Sequence, residues 1–195
     1  MSADAIFRVT QALRLRLQQA LKDANDPGAV FIGPLDDPDA QGASLILFLY
    51  RVALNPSLRN RDHLVPSDSP PPPVIVFTNS LPLELHFLLT VGTRPGSGEE
   101  ALLKTLGLAM RALNLETELT GPAVGHETIN VSFEPLSTEE TSRIWTLFPT
   151  TNYRTSIGYV ASPVWIDPPQ PQVPAARVLR DSLLGGVVAK EVADV

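Results

Sequence analysis

The sequence predicts an α+β fold, a mainly antiparallel sheet with helices packed on it. Three observations carry that prediction. Apolar residues recur at helical spacing in two stretches, and a helix cap opens a third. Other stretches alternate apolar with polar residues or form continuous apolar runs, as strands do. The elements come in the order helix, strand, strand, strand, helix, strand, helix, strand, without an internal repeat, and this suits helices layered on a sheet.

The opening helix spans Ser2 to Lys22, where Ile6, Val9, Leu13, Leu17 and Leu21 share one face and Arg8, Gln11, Gln18 and Lys22 lie largely opposite. Asn25-Asp26-Pro27-Gly28 ends it, and Val30-Phe31-Ile32 makes a short strand. Gly33-Pro34 and Asp36-Asp37-Pro38 form a turn-rich connection to Leu45–Leu54, whose continuous apolar content predicts a central strand buried on both faces. Residues 55–73 read as a long irregular loop closing in four prolines. Leu83 to Val91 alternates as a strand with one face in the core. Ser97 with Glu100 forms a capping-box pattern, opening a helix that carries Leu103, Leu106, Met110 and Leu113 to about Asn114. Ile129, Val131 and Phe133 place a strand over Thr128–Glu134. A second capping box, Ser137 with Glu140, starts a short helix with Ile144, Trp145 and Phe148 on its apolar side. Arg154 to Ile166 supplies the last strand, with Pro163 indicating a bulge or an edge. Residues 1–167 thus form one domain, and 168–195 a Pro-rich linker, PPQPQVP, with a C-terminal extension.

Composition narrows the function. The chain of 195 residues is 44% hydrophobic and only 18% charged, with a formal net charge of -6. That balance argues against a general nucleic-acid binder, which needs a concentrated basic surface. No cysteine is present, so disulfides, thiol catalysis and thiolate metal sites are all excluded. Charges interrupt the N-terminal apolar residues, and no stretch approaches the ~20 residues that span a bilayer. The expectation is a protein made in the cytoplasm, with no membrane and no nucleic acid among its partners.

Few residues carry a pattern that catalysis or metal binding requires. His63, His86 and His126 show no metal-ligand spacing and read as ordinary surface histidines, so no metal or cofactor is expected. GTRPGSG, Gly92 to Gly98, precedes a helix but lacks a phosphate-loop ending, and Glu99 and Glu100 stand where an anion would sit. There is no Gly-x-Ser-x-Gly elbow, and a Ser/His/Asp triad assembled from distant positions stays open. Trp145 and Trp165 suit either the core or a binding interface.

Five segments in order carry a resemblance: LILFLYRVALNPSLRNR, LPLELHFLLTVG, EEALLKTLGLAMRALN, INVSFEPLSTEETSRIWTLF and YRTSIGYVASPVWI. Together they resemble the N-terminal domain of the cap, or tail-terminator, protein of extracellular contractile injection systems, over most of the chain from Ala5 to Ile166. The resemblance implies a structural protein without catalytic residues. It implies a ring, expected to be a homohexamer, that closes the inner tube and sheath at the end distal to the baseplate, sets length and anchors the sheath. Implied partners are copies of itself, the inner tube protein and the sheath protein. Some members carry more chain after the shared domain than the short extension found here.

The candidate interface comprises Arg51, Arg59, Arg61, Trp145 and Arg154, with Val178, Leu179 and Leu183 in the extension. Arg59 and Arg61 follow the apolar run directly. An arginine paired with a carboxylate across a subunit boundary fixes register as well as adding affinity. Two other readings remain: a baseplate or adaptor component of the same kind of particle, and a small hydrolase or ligand-binding domain with the Pro-rich loop as a lid.

Overall fold

A computed structural model describes residues 3–66, 74–96 and 98–171. Three helices, α1 (Ala5–Asp23), α2 (Glu99–Leu115) and α3 (Thr138–Thr146), pack around eight strands: β1 (Val30–Ile32), β2 (Leu45–Leu54), β3 (His63–Pro66), β4 (Val74–Phe77), β5 (Leu81–Val91), β6 (Glu118–Leu119), β7 (Ile129–Glu134) and β8 (Ser156–Ile166). Six strands form one sheet in the order β1-β2-β5-β8-β7-β6, and β3 and β4 form a separate antiparallel pair. Among the described residues only the β1–β2 pairing is parallel, so the α+β class with a mainly antiparallel sheet holds.

The four-residue spacing of Val9, Leu13, Leu17 and Leu21 gives α1 one apolar stripe, and all four are buried against the sheet. In α2 the buried stripe is Thr105, Leu106, Ala109 and Leu113, while Leu103 and Met110 face outward. These helices cover the face of the sheet that carries Leu45, Leu47, Leu83, Leu85, Phe87, Leu89, Val131 and Tyr159. On the other face, Ile144, Trp145 and Phe148, from α3 and the turn after it, pack with Leu35, Ile46 and Leu88 in a second, smaller cluster. The Ser137–Glu140 capping box that opens α3 is present with both reciprocal bonds. For α2 the N-cap is Gly98, with no side-chain cap; Ser97 lies outside the described residues.

Several expectations are corrected. The central strands are β5 and β8, and β2 is second from the edge. Leu45–Leu47 are buried, but Arg51, Val52 and Leu54 are exposed, because the three-residue β1 flanks only the start of a ten-residue strand. It is β5 that is buried on both faces, from Phe87 to Val91. Pro163 sits at a bulge, where the β5–β8 register skips between Leu83 and Leu85, but in an inner strand. The loop expected over 55–73 holds β3 and leads to β4, two four-residue strands too short to rise above the surrounding turn and proline signals. Likewise β6 has only two residues. Phe133, placed by alternation on one face with Ile129 and Val131, is 58% exposed while those two are buried. Among the described residues no helix is long and apolar enough to cross a membrane.

Candidate functional site

Two buried polar clusters attract attention first. At the start of β3, His63 is only 4% exposed and stacks on Trp165 of β8, with ring centroids 4.6 Å apart and planes 8° from parallel. Phe77 of β4 lies on it as well. Nδ1 of His63 is 2.7 Å from Asp167, just past β8, and Nε2 is 3.0 Å from Glu127, ahead of β7. The Ser80 hydroxyl donates to the same Asp167 oxygen at 2.7 Å. Serine, histidine and aspartate therefore meet, but not as a nucleophilic triad. A triad needs the hydroxyl on the histidine nitrogen remote from the carboxylate, whereas here both Ser80 and His63 bond the aspartate and the second nitrogen faces Glu127. The cluster is a latch joining the β3–β4 pair to the end of β8.

The second cluster lies on the sheet face that α3 covers only in part. Glu134 of β7 accepts a hydrogen bond from the Tyr50 hydroxyl at 2.9 Å and lies 2.8 Å from Nδ1 of His86. His86 is 6% exposed, and its Nε2 is buried without a hydrogen bond, 3.9 Å from Glu84. Burial first, then the Glu134 bond and charge, push the Tyr50 phenol above its ordinary value. His63 and His86, read from sequence as surface residues, are thus core residues whose ring nitrogens find carboxylates, while His126 sits in a turn at φ 61°. Among the described residues no group of three or more His, Asp or Glu side chains is placed to hold a metal ion.

Of the candidate interface residues, Arg51, Arg59 and Arg61 are exposed. Arg51 stands on the outer half of β2, and Arg59 and Arg61 on the turn that follows. None of the three side chains makes a hydrogen bond or ion pair among the described residues. Trp145 is 6% exposed, its Nε1 donating to Ser156 at 3.2 Å and its ring 5.3 Å from Tyr153, so it belongs to the core. Arg154 is half-buried beside Thr93 and Tyr153, and that burial lowers its pKa from the ordinary value. Val178, Leu179 and Leu183 lie outside the described residues. A groove of about 610 Å³ runs between α2 and β7, walled by Met110, Leu113, Phe133 and Tyr159; neither His63 nor His86 lines it.

Sequence reasoning missed the open strand edges. From Phe48 on, no strand lies outside β2, and from Ser132 on none lies outside β7, among the described residues. A signal for the first lay in the unequal lengths of the β1 and β2 apolar runs, three and ten residues, which was not read as an open edge. The second followed from a β6 too short to be seen.

Comparison with known proteins bears on what this surface is for. The model of the Pvc16 N-terminal domain family matches residues 8–180. Among solved structures, the fold is similar to that of the sheath/tube terminator of PVC, an extracellular contractile injection system, in its extended state. That likeness has a TM-score of 0.60 at 16% identity over 97% of this chain and 65% of that one. It is similar as well to the anti-feeding prophage cap, a tube-terminating cap, with a TM-score of 0.57 at 16% identity over 86% of this chain and 59% of that one. The chain spans less than two thirds of either. A search of curated proteins returns no match.

Proposed function

The chain belongs to the Pvc16 N-terminal domain family, and from that membership we propose that it is a non-enzymatic terminator of a contractile injection particle. The family match over most of the chain carries the reading, and the fold shared with two terminating caps supports it. The polar clusters agree with it: their carboxylates are bonded to side chains of the same domain, and neither histidine lines the groove between α2 and β7.

In this reading copies of the chain form a closed ring, sixfold as the resemblance implies. The ring lies over the last layer of inner tube and sheath, removes the surface onto which the next layer would add, and anchors the sheath. Arg59 and Arg61, exposed and unpaired, face acidic groups of tube, sheath or the neighbouring subunit, where two-bond contacts to carboxylates would fix register. Assembly takes place in the cytoplasm, and the protein then remains part of the particle.

The test is electron microscopy of particles from cells that lack the gene. Overlong, ragged or missing sheathed particles, restored when the gene is supplied in trans, are the expected result. Normal numbers of uniform particles would refute termination.

A further inference from the structure

The six-stranded sheet ends on each side in a strand that is only partly covered. On one side β1 pairs with Leu45–Leu47, and the Gly33 N–H adds one bond to the Leu47 carbonyl at 3.3 Å. On the other, β6 pairs with Ile129 and Asn130, and the Val131 N–H donates to the Thr117 carbonyl. That leaves the outer edges of β2 from Phe48 and of β7 from Ser132 without a strand, among the described residues. An open edge offers unpaired N–H and C=O groups to another chain.

We propose that these two edges join between copies of the chain, with β2 of one copy pairing antiparallel to β7 of the next, Val52 opposite Phe133. The inference rests on the ring reading above and names its contact. Four features of the structure converge on that register. First, direction: three antiparallel pairings separate β2 from β7, so the two strands run oppositely and copies kept in one orientation meet antiparallel. Second, hydrogen bonding: the Asn55 N–H donates inward to Pro82, so by alternation Val52 and Leu54 turn their backbone groups outward. Val131 turns outward to Thr117, and so, two residues on, does Phe133. Two outward residues placed opposite exchange a pair of hydrogen bonds.

Third, side chains: Val52 pairs with Leu85, and Phe133 with Tyr159, on the face covered by the helices, and both are solvent-exposed, 46% and 58%. On the other face the same register sets Arg51, exposed and unpaired, opposite Glu134. Fourth, fit: with Val52 on Phe133 the joint runs from Arg51 opposite Glu134 to Ala53 opposite Ser132, clear of β1, and it stops at Leu54, because the Val131 N–H beyond is already bonded to Thr117. Within one copy the row of Val52 runs through Leu85 and Ala161 to Val131. The joint therefore offsets neighbours by two residues, roughly 7 Å, a stagger of the kind a sheet needs to close on itself with tilted strands.

Because the chain has no cysteine, Val52→Cys and Phe133→Cys can be placed in separate chains, mixed and oxidised. The mixture should give a disulfide between the two variants, and either alone should give little. Val52→Pro removes the outward N–H without touching the β5 pairing, which edge strands tolerate. It should weaken self-association in sedimentation by about tenfold, the effect of one lost hydrogen bond with its partner left unpaired. Should Val52→Pro not fold, Val52→Lys places a charge at the joint and should weaken association likewise. Cross-linking of Val52→Cys with itself as readily as with Phe133→Cys would overturn the pairing. So would parental self-association in a folded Val52→Pro or Val52→Lys chain. If the parent chain stays monomeric at every soluble concentration, the ring reading falls together with the edge.

Discussion

Replacing His63 with alanine tests whether the buried cluster is a structural latch. The ring is 4% exposed between Trp165 and Phe77, and its nitrogens lie 2.7 Å and 3.0 Å from carboxylates whose side chains are 4% and 15% exposed. Two losses add. Removing a stacked ring from a packed site costs about 2 kcal/mol, below the range for Phe or Trp because imidazole is smaller. The hydrogen bonds from the ring to two carboxylates are lost as well, and since Ser80 still donates to Asp167 and Glu127 can turn toward water, that loss costs about 2 kcal/mol. The sum, about 4 kcal/mol, is a large part of a domain stability of roughly 5–15 kcal/mol. Urea unfolding measures it as a fall in midpoint at constant slope. His63→Phe separates the two losses, since it fills the stack without nitrogens and should cost about 2 kcal/mol. A loss under about 1 kcal/mol for alanine would refute the latch; a phenylalanine variant as stable as the parent would refute the polar half of it.

Other outcomes follow from single contacts. A methyl group on Gly92 would stand 1.8 Å from the Ala43 carbonyl oxygen, a backbone atom, so Gly92→Ala should cost about 3 kcal/mol or abolish folding, read by thermal unfolding. Ser137→Ala should remove the α3 cap at a cost of about 1 kcal/mol in urea unfolding. The Ser137 backbone N–H and hydroxyl hold the Glu140 carboxyl below its ordinary 4.5. A carboxyl lowered in the folded state stabilises above the unfolded value and ceases to as pH falls through the folded one. The stability gap between parent and Glu140→Gln should therefore be full above pH 4.5 and shrink below it. Arg59→Ala with Arg61→Ala should leave stability within about 0.5 kcal/mol of the parent, yet lengthen particles in electron micrographs; unchanged length would remove these arginines from the interface.

The elements legible in the sequence were those whose signal is local. Helical spacing from Val9 to Leu21 and the Ser137–Glu140 box fixed α1 and α3 because the residues that make the signal make the contacts. The position of β2 was misjudged because its apolar run says nothing of its neighbours. Tyr50 closes a polar cluster with Glu134, and Val52 and Leu54 are exposed, although all three look like core residues in the string. Histidines posed the converse problem. His63 and His86 look like surface residues until chain segments distant in sequence bring Asp167, Glu127 and Glu134 to their nitrogens. A polar residue's burial depends on partners far along the chain, and no window centred on it can contain them.

What the fold satisfies, and what it leaves unsatisfied, separates scaffold from contact surface. Asp167, Glu127 and Glu134 are each engaged by side chains of their own domain, and His86 Nε2, buried without a hydrogen bond 3.9 Å from Glu84, does not line the groove beside α2. The bonds to the carboxylates cross-link strands and stiffen the sheet. The unmet demand is at the periphery: the edges of β2 and β7, the exposed Val52 and Phe133, and the unpaired Arg51, Arg59 and Arg61. Backbone edges and arginines are satisfied by macromolecular partners more readily than by small substrates, because each needs a partner held in fixed register along several residues. In the proposed ring, a stiff sheet whose two edges complement each other would transmit its orientation to the next copy.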